Sequence, residues 1–149
     1  MEKAIEFNVI SKPQHYNKPG CTEAWDVIDG SIRGYFGGLG YLAGNTIKYL
    51  LRWPYKNGVE DLRKARRYLQ RITEFDMYFY REESDVPTSI QATTWIDGWC
   101  PENESGPIRK LTMLATLRAI KMKDRQDAMD IIDILDVMIE LKEGQENDE

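Results

Sequence analysis

The chain is poor in the residues that most often announce a chemistry. It holds one histidine, His15, and two cysteines, Cys21 and Cys100, in 149 residues. The cysteines are far apart, and neither has a Cys or His neighbour at the spacing of a structural zinc site, so they read as reduced thiols. No stretch approaches the ~20 apolar residues of a membrane span. The opening MEKAIEFNVI mixes charges into a short apolar run and is no secretory leader, so a cytoplasmic protein is expected. There is no G-x-x-x-x-G-K-[ST], which excludes a P-loop, and no internal repeat. The net charge of −5 argues against a general nucleic-acid coat but leaves room for a local basic site.

What is present reads as a helical protein. Residues 1–10 form an arm, and the Pro/Gly/Asn-rich SKPQHYNKPG of residues 11–20 is a loop. Thr22 is a candidate N-cap, with Glu23 in the first turn. Trp25, Ile28, Ile32 and Phe36 at helical spacing predict a first helix over 23–36. Gly37, Gly38 and Gly40 break it; GG-x-G there suits a tight packed turn better than a phosphate nest. A second helix is expected from about Leu42 to Trp53, stopped by Pro54. A third is expected over about 59–83, with Leu62, Ala65, Leu69, Ile72 and Phe79 on one face.

Residues 84–107 lack a helical period and read as a linker or packed loop, with a short hairpin expected around Asp97-Gly98. Pro107 suits the first turn of a fourth helix carrying Ile108, Leu111, Leu114 and Leu117 or Arg118. Asp124 would cap a fifth, whose Ala128, Ile131, Ile132, Leu135, Met138 and Ile139 form the cleanest apolar stripe in the chain. The expected organisation is all-α: a three-helix unit over 11–83, a linker over 84–107, a helical hairpin over 108–143 and a disordered acidic tail over 144–149.

Charge is segregated along the chain. Between Gly44 and Arg71 stand Lys48, Arg52, Lys56, Arg63, Lys64, Arg66, Arg67 and Arg71 against only Glu60 and Asp61. From Asp124 onward ten acids face Arg125 and Lys142. A chain that is acidic as a whole yet basic over its second and third helices reserves that region for an anion. Asn45, Lys48, Tyr49 and Arg52 fall on one side of the second helix, and an amide, an ammonium and a guanidinium so close together suit a phosphate. A hairpin of the second and third helices would bring Asp61, Lys64 and Tyr68 to the same face. Asp61 and Glu60 also suit a helix N-terminus. His15 is either polar surface or a general base and phosphate ligand.

These residues together resemble a phage-encoded family catalogued as an uncharacterised domain with a nucleotide-kinase label. The resemblance rests on HYN (15–17), on Glu23, Asp26 and Ile28, on Phe36, and on GN-x-IKYL-x-R (44–52), KNG-x-EDL-x-KA (56–65) and Tyr68-Leu69, covering roughly residues 11–76. The chain departs from it at Pro19-Gly20-Cys21-Thr22-Glu23 and at Trp53-Pro54-Tyr55. The resemblance implies phosphoryl transfer to a nucleoside monophosphate. His15, Lys48 and Arg52 would be catalytic, and Tyr16, Asn45, Tyr49, Lys56, Asp61 and Lys64 would bind substrate. No protein-held metal is implied, and Mg²⁺ would arrive on the nucleotide.

Other classes compete with that expectation. One is a non-catalytic module that sequesters a nucleotide, and another is a protein that inhibits a host enzyme through the acidic C-terminal half. Asp127, Asp130, Asp133, Asp136 and Glu140 also suit Mg²⁺ held between carboxylates, as in helical pyrophosphohydrolases, but they spread over the face opposite the apolar stripe as solvated residues do. That stripe is wider than one short helix covers, which predicts a homo-oligomer built through Ile131, Ile132, Leu135, Met138 and Ile139.

Overall fold

A computed structural model of the chain describes residues 16, 18, 20–75, 79, 81–99, 101, 102, 104 and 106–147. Among them are six α-helices and no strand: α1 (Ala24–Ser31), α2 (Gly38–Arg52), α3 (Val59–Thr73), α4 (Ser89–Ile96), α5 (Gly106–Ile120) and α6 (Arg125–Asn147), with a 3-10 turn at Glu83–Asp85. Helices α2, α3, α6 and α5 form a closed ring, each packed on the next and α5 back on α2. α1 lies on α2 and α4 on α5. The ring encloses one continuous core that includes Ile47, Leu51, Leu62, Leu69, Ile108, Ile131 and Leu135. No helix among the described residues is long and apolar enough to cross a membrane.

The apolar period places the helices well and their ends poorly. α1 stops at Ser31, short of the expected 36, because Gly34 adopts φ +83° and turns the chain. Its N-cap is Glu23 rather than Thr22, whose carbonyl instead accepts the Trp99 indole N–H. α2 starts at Gly38, earlier than expected, with Gly37 at φ +53° just before it. α3 ends at Thr73 rather than 83. The expected hairpin at Asp97-Gly98 is instead the end of helix α4, which Thr88 caps by accepting the Gln91 amide.

α5 buries Ile108, Thr112, Ala115, Thr116, Ala119 and Ile120, while Leu114 is 40% exposed. The expected leucine face is therefore rotated. Small residues turn inward, and the Thr112 and Thr116 hydroxyls satisfy themselves on the carbonyls of Ile108 and Thr112. α6 begins with a reciprocal cap: Asp124 accepts the Asp127 amide, and Asp127 accepts the Lys123 amide. It continues through Asn147, so most of the expected disordered tail is helix.

The apolar stripe of α6 is consumed inside the chain. Ile131, Leu135 and Met138 are fully buried, and Ile132 and Ile139 pack at the core's edge. Two partner helices, α3 and α5, cover the face that one could not. Ile131, Leu135 and Met138 are therefore not available to the expected subunit interface, which would be left with the edge residues Ile132 and Ile139.

Candidate functional site

Arg52 closes the last turn of α2 and Asp61 opens α3, and the Pro54–Gly58 turn brings them together. Arg52 donates from Nε and Nη2 to the two Asp61 carboxylate oxygens at 3.0 and 3.1 Å, and from Nη1 to the Tyr16 hydroxyl at 2.6 Å. Both charged side chains are buried. Asn57 donates to Asp61 at 3.4 Å, and the Lys64 ammonium lies 4.0 Å from the same carboxylate. Burial alone would pull the Arg52 guanidinium down. The hydrogen bonds to Asp61 and Tyr16, with the Asp61 charge, outweigh it, and the group sits above its ordinary value.

A tyrosine cluster grows outward from this pair. The Arg52 guanidinium lies 4.7 Å from the centre of the Tyr49 ring, Lys48 Nζ 4.4 Å from it and Lys64 Nζ 5.6 Å from it. Tyr68 stacks on Tyr49 at 5.8 Å, and Tyr41 meets Tyr68 edge-on at 6.1 Å. The Tyr41 hydrogen bond, and then partial burial, push the Tyr68 hydroxyl's pKa up.

The structure thus brings Tyr16, Lys48, Tyr49, Arg52, Asp61 and Lys64 together. Their roles differ from the expected ones. Arg52 is buried and committed: Asp61 takes its Nε–Nη2 edge and Tyr16 a hydrogen of Nη1, so it organises the site more than it offers a free fork to a phosphate. Asp61 is its counter-ion. The Asn45 side-chain amide donates to the Tyr41 carbonyl one turn back, at 2.9 Å, and not outward. Lys56 is exposed in the turn after α2. His15 lies outside the described residues. Tyr41 escaped the sequence reading, although it extends the Asn45–Tyr49 stripe one turn toward the start of α2.

The other basic residues of the region are spent on packing. Arg63 pairs with Glu143 and Arg66 with Asp136 on α6, while Arg67 and Arg71 both approach Glu74. The α6 acids are engaged in turn: Asp127 caps the helix, Asp130 faces Arg118 at 3.9 Å and Asp136 faces Arg66. Among the described residues no group of three or more His, Cys, Asp or Glu side chains is placed to hold a metal ion. Two surface clefts lie elsewhere, one lined by Leu117, Arg118, Lys121, Lys123 and Asp127, the other by Ser89, Ile90, Thr93, Thr94 and Asp97.

Fold and geometry together define an all-helical protein with a lysine–tyrosine face built on a buried Arg–Asp pair. Residues 10–70 match the model of a family described as a protein of unknown function (DUF3310). No curated protein and no solved structure matches the chain. The match spans the motifs that suggested a nucleotide-kinase family, but the matching family is described only as of unknown function, and nothing in the match shows a nucleotide kinase. That identification is therefore overturned, and function rests on the site alone.

Proposed function

We propose that the outer face of α2, with the first turns of α3, binds the phosphate of a nucleotide. The observation that carries this is the charge left after internal pairing. Arg52, Arg63, Arg66, Arg67 and Arg71 all have carboxylate partners. Lys48 and Lys56 have none among the described residues, and Lys64 approaches Glu60 and Asp61 at 3.9 and 4.0 Å, no closer than Arg67 and Arg71 come to Glu74; of the three lysines, Lys48 and Lys64 lie over the Tyr49 ring. Both ammonium groups rest on the Tyr49 ring, which the buried pair fixes in place. Two cations on a preorganised support hold a phosphate with little ordering cost. The reading extends to phosphoryl transfer between nucleotides, since that reaction asks mainly for positioning and charge neutralisation.

A nucleotide panel scored by thermal shift and by product formation tests the proposal. Lys48→Ala and Lys64→Ala should each weaken nucleotide binding by about 1.5–3 kcal/mol, as loss of a charge-assisted hydrogen bond does. The melting temperature of the free protein should stay nearly constant, because both side chains are partly exposed. Unaltered affinity in both variants would sink the site. Binding without turnover would limit the function to a binding module.

A further inference from the structure

Of the four tryptophans, Trp53 and Trp99 are buried and Trp95 lies partly buried against Gly30, but Trp25 is 71% exposed. One exposed apolar residue needs no explanation by itself. The place of this one does. Trp25, Ile28 and Ile32 share a stripe on α1. That stripe meets α2 at Gly44, where a Cβ would lie 3.3 Å from Ile28 Cγ2 and 3.7 Å from Ile32 Cγ2. The short Ile32–Gly37 connection folds the two helices back on each other. One turn back from Ile28 is Trp25, and one turn forward from Gly44 is Lys48.

We infer that Trp25 is a stacking platform for a nucleobase, and that the site takes a mononucleotide lying across α2 with its base on α1 and its phosphate at Lys48 and Lys64. This rests on the phosphate reading above. By helical spacing from the Ile28–Gly44 contact, Trp25 falls at the α1 edge of the outer face of α2, which carries Asn45 and Lys48, while Lys64 and Tyr68 of α3 border it beside Tyr49. Charge sets the polarity of the ligand. Asp26 and Asp29 are exposed on α1 and disfavour a phosphate there, whereas the α3 side is cationic. The same acids interrupt any basic track for successive phosphates, which favours a mononucleotide over a single-stranded nucleic acid.

The test compares the four deoxynucleoside 5′-monophosphates with deoxyribose 5-phosphate and an oligothymidylate, by calorimetry on the full chain. Trp25→Ala should weaken nucleotide binding on the order of tenfold, the usual loss of one base–aromatic stack. It should leave deoxyribose 5-phosphate binding unchanged, and Trp25→Phe should keep most of the nucleotide affinity. Lys48→Ala should weaken both ligands. Nucleotide binding should also quench indole emission in the wild type and not in Trp25→Phe. Sugar-phosphate binding together with nucleotide affinity indifferent to Trp25 would overturn the platform alone. Failure of every probe to bind the wild type would overturn phosphate site and platform together. An oligothymidylate bound more tightly than any mononucleotide would overturn the assignment of ligand class.

Discussion

Replacing Arg52 by methionine separates a structural role from a ligand-binding one. The substitution keeps an apolar stem beside Tyr49 but removes a guanidinium that is 7% exposed and bonded on three edges. What remains is an Asp61 carboxylate with no solvent exposure, left with Asn57 at 3.4 Å and Lys64 at 4.0 Å. Removing one partner of a buried ion pair costs about 3–5 kcal/mol, because the other charge stays desolvated. Lost stacking of the guanidinium on Tyr49 is a smaller part, about 0.5–2 kcal/mol. Against a domain stability of about 5–15 kcal/mol, the variant should be markedly destabilised. Arg52→Met/Asp61→Leu, which removes both charges, should recover much of the loss, as apolar replacements of buried pairs do. Urea unfolding followed by circular dichroism on the two single variants and the double variant gives the coupling directly. Arg52→Met within about 1 kcal/mol of wild type would refute the argument and return Arg52 to the pool of free phosphate ligands.

Four further outcomes follow from the packing. Arg81 is buried and donates to the carbonyls of Ser31, Arg33, Asp85, Ile120 and Met122, so Arg81→Met should cost about 3 kcal/mol or more in urea unfolding, and Arg81→Lys, with a single ammonium, somewhat less. Leu135→Asp should cost more than about 3 kcal/mol and lower the melting temperature at every protein concentration; a folded variant that has merely dissociated in light scattering would contradict the burial of the α6 stripe. Burial, the largest influence on Tyr35, drives its pKa well above the ordinary 10.0, so the unfolded chain releases this proton first: stability is full below pH ~10 and falls as pH rises beyond it, a slope that Tyr35→Phe should reduce in alkaline unfolding titrations. Gly30→Ala should cost about 1–3 kcal/mol, since its Cβ would lie 2.4 Å from the Trp95 ring; a melting temperature equal to wild type would show that the ring yields freely.

Element existence was legible where burial enforces a period. The Leu62, Ala65, Leu69 and Ile72 stripe announces α3, and Ala128, Ile131, Leu135 and Met138 announce α6, because each face must be covered over several turns. Element ends were not, since they depend on partners distant in sequence. Arg81 sits within what reads as a continuing third helix, yet its guanidinium is held by carbonyls near the ends of α1 and α5, contacts no local pattern encodes. α4 was missed because eight residues buried on only two positions, Ala92 and Ile96, leave almost no period to detect. The rotated face of α5 has a similar origin: alanine and threonine fill the narrow space inside the ring while leucines stay at its edge, and a search for leucines finds the wrong side.

The site was legible as a cluster, but not which of its cations are engaged inside the chain, for a reason rooted in charge. Eight basic residues within one helical hairpin look like a reservoir for an anion when the acids that answer them lie 70 to 80 positions away. Folding brings α6 alongside α3, and Asp136 and Glu143 take up Arg66 and Arg63. Exposed pairs of this kind add little stability, so α6 is held mainly by its apolar face; the pairs fix its register instead. The lysines Lys48, Lys56 and Lys64 are the least engaged, and two of them, Lys48 and Lys64, stand where a buried carboxylate is already satisfied by a buried arginine. A buried guanidinium held by Asp61 and Tyr16 offers little to an incoming phosphate, whereas two partly exposed ammonium groups over a tyrosine ring are open to one. In the phosphate-binding reading proposed above, the binding role therefore falls to the lysines beside the arginine that spacing had favoured.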